Sequence, residues 1–295
     1  MKFVGIISIL LLLSCTEQTN HPSTSQSEGY PLEITDAHER TVTVSRPPQK
    51  IVVAGTALYA QIVNDLKAGH KIVGIAHSKN TPKSLQKVAS VGKALQPNLE
   101  KIISLQPDIV FGANSIRGKL QQMNIPVFIV GEPPHGVINS IKSLNKAISN
   151  IDLILHGNTN RAKNLIAKTQ SIIKSHAQKK TTTKISVAVV YFTTQSPPYV
   201  IGNSSLESEI IEKVGGQNVF NISGTINIEE LIKKNPQVIF TDPSQISIAK
   251  QLLGAQNLQA VENNKLYGIK ASSWVSTNLA QTFITVSTAL YGNQK

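Results

Sequence analysis

Two similar α/β lobes facing one another across a cleft are what this sequence predicts, and three observations carry the prediction. The segment from Asn98 to Phe111, Asn-Leu-Glu-Lys-Ile-Ile-Ser-Leu-Gln-Pro-Asp-Ile-Val-Phe, returns in the second half from Asn227 to Phe240 as Asn-Ile-Glu-Glu-Leu-Ile-Lys-Lys-Asn-Pro-Gln-Val-Ile-Phe. In each copy an Asn can cap a helix, an acid (Glu100, Glu229) follows in the first turn where the helix dipole favours it, and Ile103 or Ile232 falls on the buried side. Pro107 or Pro236 then stops the helix before a short apolar strand. Outside the repeat, strand and helix patterns alternate, as parallel sheets require. Finally, 295 residues suffice for two domains with a core each.

The chain opens with Lys2 and an apolar run from Phe3 to Leu13, too short to span a bilayer and of the size of a secretory leader. The run ends in Leu12-Leu-Ser-Cys15, the form of a lipobox, so Cys15 is expected to be lipidated and to become the first mature residue. The plainer alternative is an ordinary leader with an incidental cysteine. Cys15 is the only cysteine, which excludes intramolecular disulfides and cysteine-based metal sites. Residues 16–30 are rich in Thr, Ser, Gln and Asn and read as a disordered tether. Two or more acyl chains make such an anchor stable, so the protein is expected to be exported and tied to a membrane face, periplasmic or on the cell surface.

Pro31 to Val44 reads as two short strands joined by the turn His38-Glu-Arg40. Strands are then expected at Ile51–Ala54, Ile72–Ala76, Ile109–Phe111 and Val127–Val130, with helices from Thr56, from Asn98 and around Ile116–Met123. The alternation stops at a helix over Val137–Ile148 and, beyond Gly157-Asn158, a second one from about Thr159 to Ala177, long enough to be a rigid crossing. A strand at Ile185–Phe192, a helix at Ser205–Val214, the second repeat and a last helix at Asn278–Tyr291 complete the chain. The expected division is 1–15 leader, 16–30 tether, 31–135 first lobe, 136–180 linking helices and 181–295 second lobe.

With 29 basic against 17 acidic residues the net charge is +12. The lysines are scattered, which fits a solvated basic surface or a basic cleft for an acidic ligand, and an exported lipoprotein is not expected to meet nucleic acid.

Several segments carry a family resemblance. Ile34-Thr-Asp-Ala-His-Glu-Arg-Thr-Val-Thr-Val44 with Pro47-Pro48 and Ile51-Val-Val53, then Val91-Gly-Lys-Ala-Leu-Gln-Pro-Asn-Leu-Glu100, Gln106-Pro-Asp-Ile-Val110 and Val214-Gly-Gly-Gln-Asn-Val-Phe220, resemble in order the iron-complex substrate-binding proteins of ABC importers. That group serves ferric siderophores, haem and cobalamin. The resemblance spans about Ile34 to Leu290. It implies two Rossmann-like lobes with parallel sheets, joined by one long helix with little hinge motion, holding the ligand between them. It also implies that Glu100 and Glu229 dock onto arginines of the permease, with Glu230 a competitor for the second role; complementing a helix dipole alone would not require the acid at the same turn twice.

Ligands of doubly wound sheets sit beyond the carboxyl ends of the strands. That rule selects Tyr59, His77, Lys93, Arg117, Tyr199 and the lone Trp274, the aromatics to stack and the cations to pair with acidic oxygens. Each has an ordinary alternative as a packed aromatic, a solvated cation or a satisfied histidine. Haem binders of the group commonly place a tyrosine, and cobalamin binders a tryptophan, where this chain has Lys93; a lysine there resembles the siderophore branch. His77 or His135 keeps haem open as a ligand. Metal-ion binders of related architecture place a histidine directly after the first strand, where Gly55-Thr-Ala-Leu-Tyr59 has none. No catalytic residues, bound metal or cofactor are expected: the chain lacks Gly-x-Ser-x-Gly and a glycine-rich loop after its first strand. A structural surface lipoprotein fits the anchor but gives the paired acids no role.

Overall fold

The computed structural model describes residues 29–133, 136–176, 184–254 and 256–292. Cys15, His135, the leader and the tether up to residue 28 lie outside them.

A hairpin of β1 (Leu32–Thr35) and β2 (Thr41–Val44) precedes the first lobe. That lobe comprises β3 (Ile51–Ala54), α1 (Ala57–Asp65), β4 (Ile72–Ile75), β5 (Ala89–Ser90), a small hairpin of β6 (Gly92–Lys93) and β7 (Gln96–Pro97), α2 (Leu99–Ser104), β8 (Ile109–Gly112), α3 (Arg117–Gln122) and β9 (Val127–Phe128). Its sheet runs β5-β4-β3-β8-β9 and is parallel throughout. Two helices follow, α4 (Ile141–His156) and α5 (Asn160–His176). The second lobe comprises β10 (Ile185–Tyr191), β11 (Tyr199–Val200), α6 (Leu206–Lys213), β12 (Gly216–Asn218), β13 (Gly224–Thr225), α7 (Ile228–Lys234), β14 (Val238–Thr241), α8 (Ile246–Leu253), α9 (Gln259–Glu262), β15 (Leu266–Gly268), α10 (Ala271–Trp274) and α11 (Leu279–Tyr291). There β10, β12, β14 and β15 are parallel, but β11 pairs antiparallel with β10 and β13 antiparallel with β11. The connection from Tyr191 to Tyr199 is too short for a crossover helix, so β11 folds straight back on β10.

The repeat does the same work twice. β8 lies beside β3 and β14 beside β10, each next to the first strand of its lobe's sheet. Ile102 and Leu231, one residue before the expected Ile103 and Ile232, are the fully buried anchors. Gln106 and Asn235 adopt left-handed φ of 49° and 41° directly before the prolines, so each helix ends by reversing the chain. The residue after each proline staples the neighbouring strand: Asp108 accepts from the amides of Gln49 and Lys50 at 2.8 and 2.9 Å, and Gln237 Oε1 from that of Ser186 at 2.9 Å. Only one expected cap forms: Asn98 Oδ1 accepts from Lys101 N at 3.0 Å, whereas the Asn227 side chain makes no such bond.

The first linking helix starts four residues later than expected. Ser140 and Ser143 close a capping box, while Val137 pairs with Glu132 in an isolated bridge. The amide of Ile141 donates to Glu209 Oε2 at 2.7 Å, so a carboxylate of the second lobe covers the N-terminus of α4. At the other end Asp152, fully buried, receives Ala162 N at 2.8 Å and lies 2.7 Å from His156 Nδ1, binding α4 to the first turn of α5. Tyr30 donates its hydroxyl to Ile154 O at 2.7 Å and fixes the start of the chain to the same helix. α5, about 25 Å long, then runs along α4 and α11. One apolar core extends from Val53 and Phe111 through Leu144 and Ile151 to Val187, Phe240 and Phe283. Each sheet buries its other face in a core of its own, around Val52 and Ile102 in one lobe and Val190 and Leu231 in the other.

Asp152→Ala leaves the buried Ala162 amide and the His156 ring without their acceptor. We expect it to lower unfolding stability by on the order of 3 kcal/mol in urea titrations, with ligand binding by the folded fraction unchanged.

Candidate functional site

At the carboxyl end of the first lobe's sheet the neighbouring strands β3 and β8 run into Gly55 and Gly112. Gly112 has φ of 92°, and a Cβ there would lie 2.7 Å from Gly55 Cα, so two backbone segments meet without side chains between them. The chain then turns from Gly55 into α1, where the Tyr59 ring lies against Gly55. A cavity of about 300 Å³ opens here. The first lobe lines it with Thr56, Leu58, Tyr59, Gln61 and Asn80, the linking segment with Gly136 and Ile138, and the second lobe with Ser272 and Val275. Through Thr56 and Ala57 it adjoins a hollow of about 510 Å³ bordered by His77, Ser78, Lys93, Leu95 and Gln96.

Hydrogen bonds cross between the lobes beside the cavity. Gln61 Nε2 donates to Ser276 Oγ at 3.1 Å, and Thr277 Oγ1 donates to Asp65 Oδ2. Charge also faces charge across the gap. Asp242, at the end of β14, is held below the usual carboxylate range by its bond from the Ser244 hydroxyl, by the amides of Ser244 and Ala271, and by Lys79 of the opposite lobe. Burial holds the Glu207 carboxyl above its usual range. It also pushes up the Tyr191 phenol, which Glu207 and Asp242 disfavour further as an anion.

The structure brings together three of the six residues selected from strand ends. Tyr59 lines the cavity with its ring, but its hydroxyl donates to Val130 O at 3.1 Å and burial pushes its pKa up to about 12, so it is a neutral wall. His77 borders the hollow and donates from Nε2 to Val88 O at 2.8 Å, which leaves Nδ1 free of that bond. Lys93 is exposed on the same hollow, in no ion pair among the described residues. Arg117, half-buried at the start of α3, and Tyr199, 44% exposed on β11, border neither space.

Trp274 corrects the expectation of a cleft-lining aromatic. It is 1% exposed, and its ring meets Phe240 edge-on at 5.6 Å between centroids, in the core of the second lobe. The short helix α10 turns it inward, where a large ring gains more by burial than at a wet rim. Thr56, Gln61, Asn80 and Ser272 were not singled out from the sequence. Their one signal is position, since each lies within a few residues of the carboxyl end of a strand or of the loop that follows it.

Glu100 and Glu229 are exposed in the first turns of α2 and α7, in no ion pair among the described residues. They hold corresponding places in the two lobes.

The family model described as "Periplasmic binding protein" matches residues 52–272. An ABC transporter substrate-binding lipoprotein of Bacillus subtilis, YvrC, is 25% identical over 90% of this chain and 87% of its own. A vitamin B12-binding protein of Vibrio parahaemolyticus is 23% identical over 82% of this chain and 88% of its own. Among solved structures, an ABC-type Fe3+-hydroxamate transport system protein of Saccharomonospora viridis superposes with a TM-score of 0.72 at 22% identity, covering 89% of this chain and 99% of that one.

If Trp274 is core, Trp274→Ala should cost about 3–5 kcal/mol of stability and Trp274→Phe markedly less. Acrylamide should quench the wild-type indole only after denaturation, and emission that quenches freely in the native state would return the ring to the cleft.

Proposed function

The chain belongs to the periplasmic binding protein family, and from that premise we propose that it is the extracytoplasmic substrate-binding component of an ABC importer, capturing a ferric siderophore or similar iron complex and delivering it to the permease. The observation that carries this reading is a cavity walled by both lobes and continuous with a hollow that presents His77 and Lys93. Its dimensions are those of sites for small molecules and cofactors. Lys93 can pair with acidic oxygens of a chelate, His77 can accept a hydrogen bond at Nδ1, and Tyr59, Leu58 and Ile138 supply apolar surface. Tyr199 and Arg117 border neither space and take no part in this reading.

The relatives support the class more than the ligand. A hydroxamate-transport protein shares the fold, and a B12-binding protein shares sequence over most of the chain, so cobalamin is the second reading. Haem is the third ligand of the resembled group. The lipobox and the exposed acids complete the proposal: Cys15 holds the protein at the membrane, and Glu100 and Glu229 meet basic residues of the permease.

Titration of the purified protein with ferric hydroxamate and citrate complexes, haem and cobalamin tests the ligand. We expect the ferric chelate to bind and Lys93→Ala to weaken it by about 1–3 kcal/mol. Binding of cobalamin or haem alone would replace the ligand and keep the class, while binding of none would sink both. Glu100→Arg with Glu229→Arg should abolish uptake in cells and leave the affinity of the purified protein unchanged; lost affinity would assign the acids to the site or the fold. Cys15→Ala should release the protein from membranes or block its processing. Wild-type protein that incorporates no labelled fatty acid would refute the anchor.

A further inference from the structure

The two most exposed large apolar side chains among the described residues are Leu95, 90% exposed, and Ile222, 83%. Single exposed hydrophobics are common and need no explanation. Both, however, stand in the segment that leads into the acid-bearing helix of their lobe. Leu95 is in the turn of the β6–β7 hairpin, which leads directly into α2 and Glu100. Ile222 is in the turn between β12 and β13, which leads into α7 and Glu229.

Neither turn is a loose loop. Asn98 N donates to Val91 O at 2.8 Å and closes the base of the first hairpin at the start of α2. In the second lobe Gly202 N donates to Ser223 Oγ at 2.8 Å and Asn203 N to Asn221 O at 3.1 Å, pinning the residues on both sides of Ile222. The backbone thus holds each apolar side chain out in water, where burial against a partner is favourable. Leu95 also borders the hollow of Lys93, but a ligand role there has no counterpart at Ile222, which borders a separate hollow with Glu230 and Lys234.

We propose that Leu95 and Ile222 are paired apolar anchors for the permease, each entering a pocket beside the basic group that receives Glu100 or Glu229. The inference rests on the docking reading above. The partner's chemistry follows from charge: exposed acids in no ion pair among the described residues, on a chain of net charge +12, call for cations. An apolar knob inside a polar rim is also the usual anatomy of a binding hot spot. An anionic bilayer would repel the acids beside both anchors, so the lipid surface is the poorer occupant.

The test uses the full-length lipoprotein in its native cells, with a photoreactive benzophenone residue introduced at position 95, 222, 101 or 163. Lys101, beside Glu100, reports docking, and Lys163 on α5 is the control. We expect positions 95 and 222 to form adducts with the same polytopic ABC permease that position 101 captures, identified by mass spectrometry, and position 163 to form none. Leu95→Ser with Ile222→Ser should lower the adduct yield at position 101 by about tenfold without moving the unfolding midpoint. Capture of the permease at 101, with only lipid or nothing at 95 and 222, would overturn the anchors and leave docking intact. No permease at any position would overturn docking as well, and the anchors with it.

Discussion

The apolar core does not stop at the boundary between the lobes, and the width of the cleft depends on that. Residues of both sheets join one core through the inner faces of α4, α5 and α11. Lobes joined only by flexible linkers move by default. Here Glu209 covers the N-terminus of α4, Asp65 meets Thr277, and Gln61 meets Ser276. Opening the lobes would strip a carboxylate from a helix end and expose apolar surface at the same time. A cleft held this way is formed before its ligand arrives, which removes most of the ordering cost of binding.

The internal repeat explains how two lobes that differ at their sheet edges place one helix alike. Each copy ends on a proline, and the next residue binds the amide of the neighbouring strand's leading edge. One lobe uses a carboxylate for this, Asp108, which also meets Arg46, and the other an amide, Gln237. The chemistry has diverged while the geometry has not. Because the helix is set by the strand that follows it, the acid in its first turn inherits the same placement in both lobes.

Much of this was legible in the sequence, for a definable reason. Strands such as Ile51–Ala54 are buried on both faces and read as unbroken β-branched runs, and helices such as α6 and α11 carry their apolar stripe openly. What failed to show were choices decided by tertiary contact. The start of α4 was displaced because Ser140 outcompetes the apolar Val137 and Ile138 as a boundary. The antiparallel edge of the second lobe came from a connection too short to cross over. Trp274 was misplaced because a residue just beyond a strand can turn toward the cleft or into the sheet, and no spacing distinguishes the two. The polar residues of the cavity are ordinary Thr, Gln, Asn and Ser, visible only once both lobes are assembled.

Electrostatics gives the cleft a direction. On the first lobe the side chains near the opening are His77, Lys79 and Lys93, whereas the carboxyl edge of the second carries Tyr191, Glu207 and Asp242. Lys79 already favours the charge of Asp242 across the gap. A ligand carrying acidic oxygens meets attraction on one wall and, from Asp242, repulsion on the other, so one orientation is selected by the penalty on its reverse. Glu207, whose carboxyl burial holds above its usual range, takes up a proton more readily than Asp242 beside it on that edge. The two lobes share a fold and a repeat, yet the edges they turn to the cleft differ in charge, so a repeated scaffold presents an unsymmetric electrostatic surface.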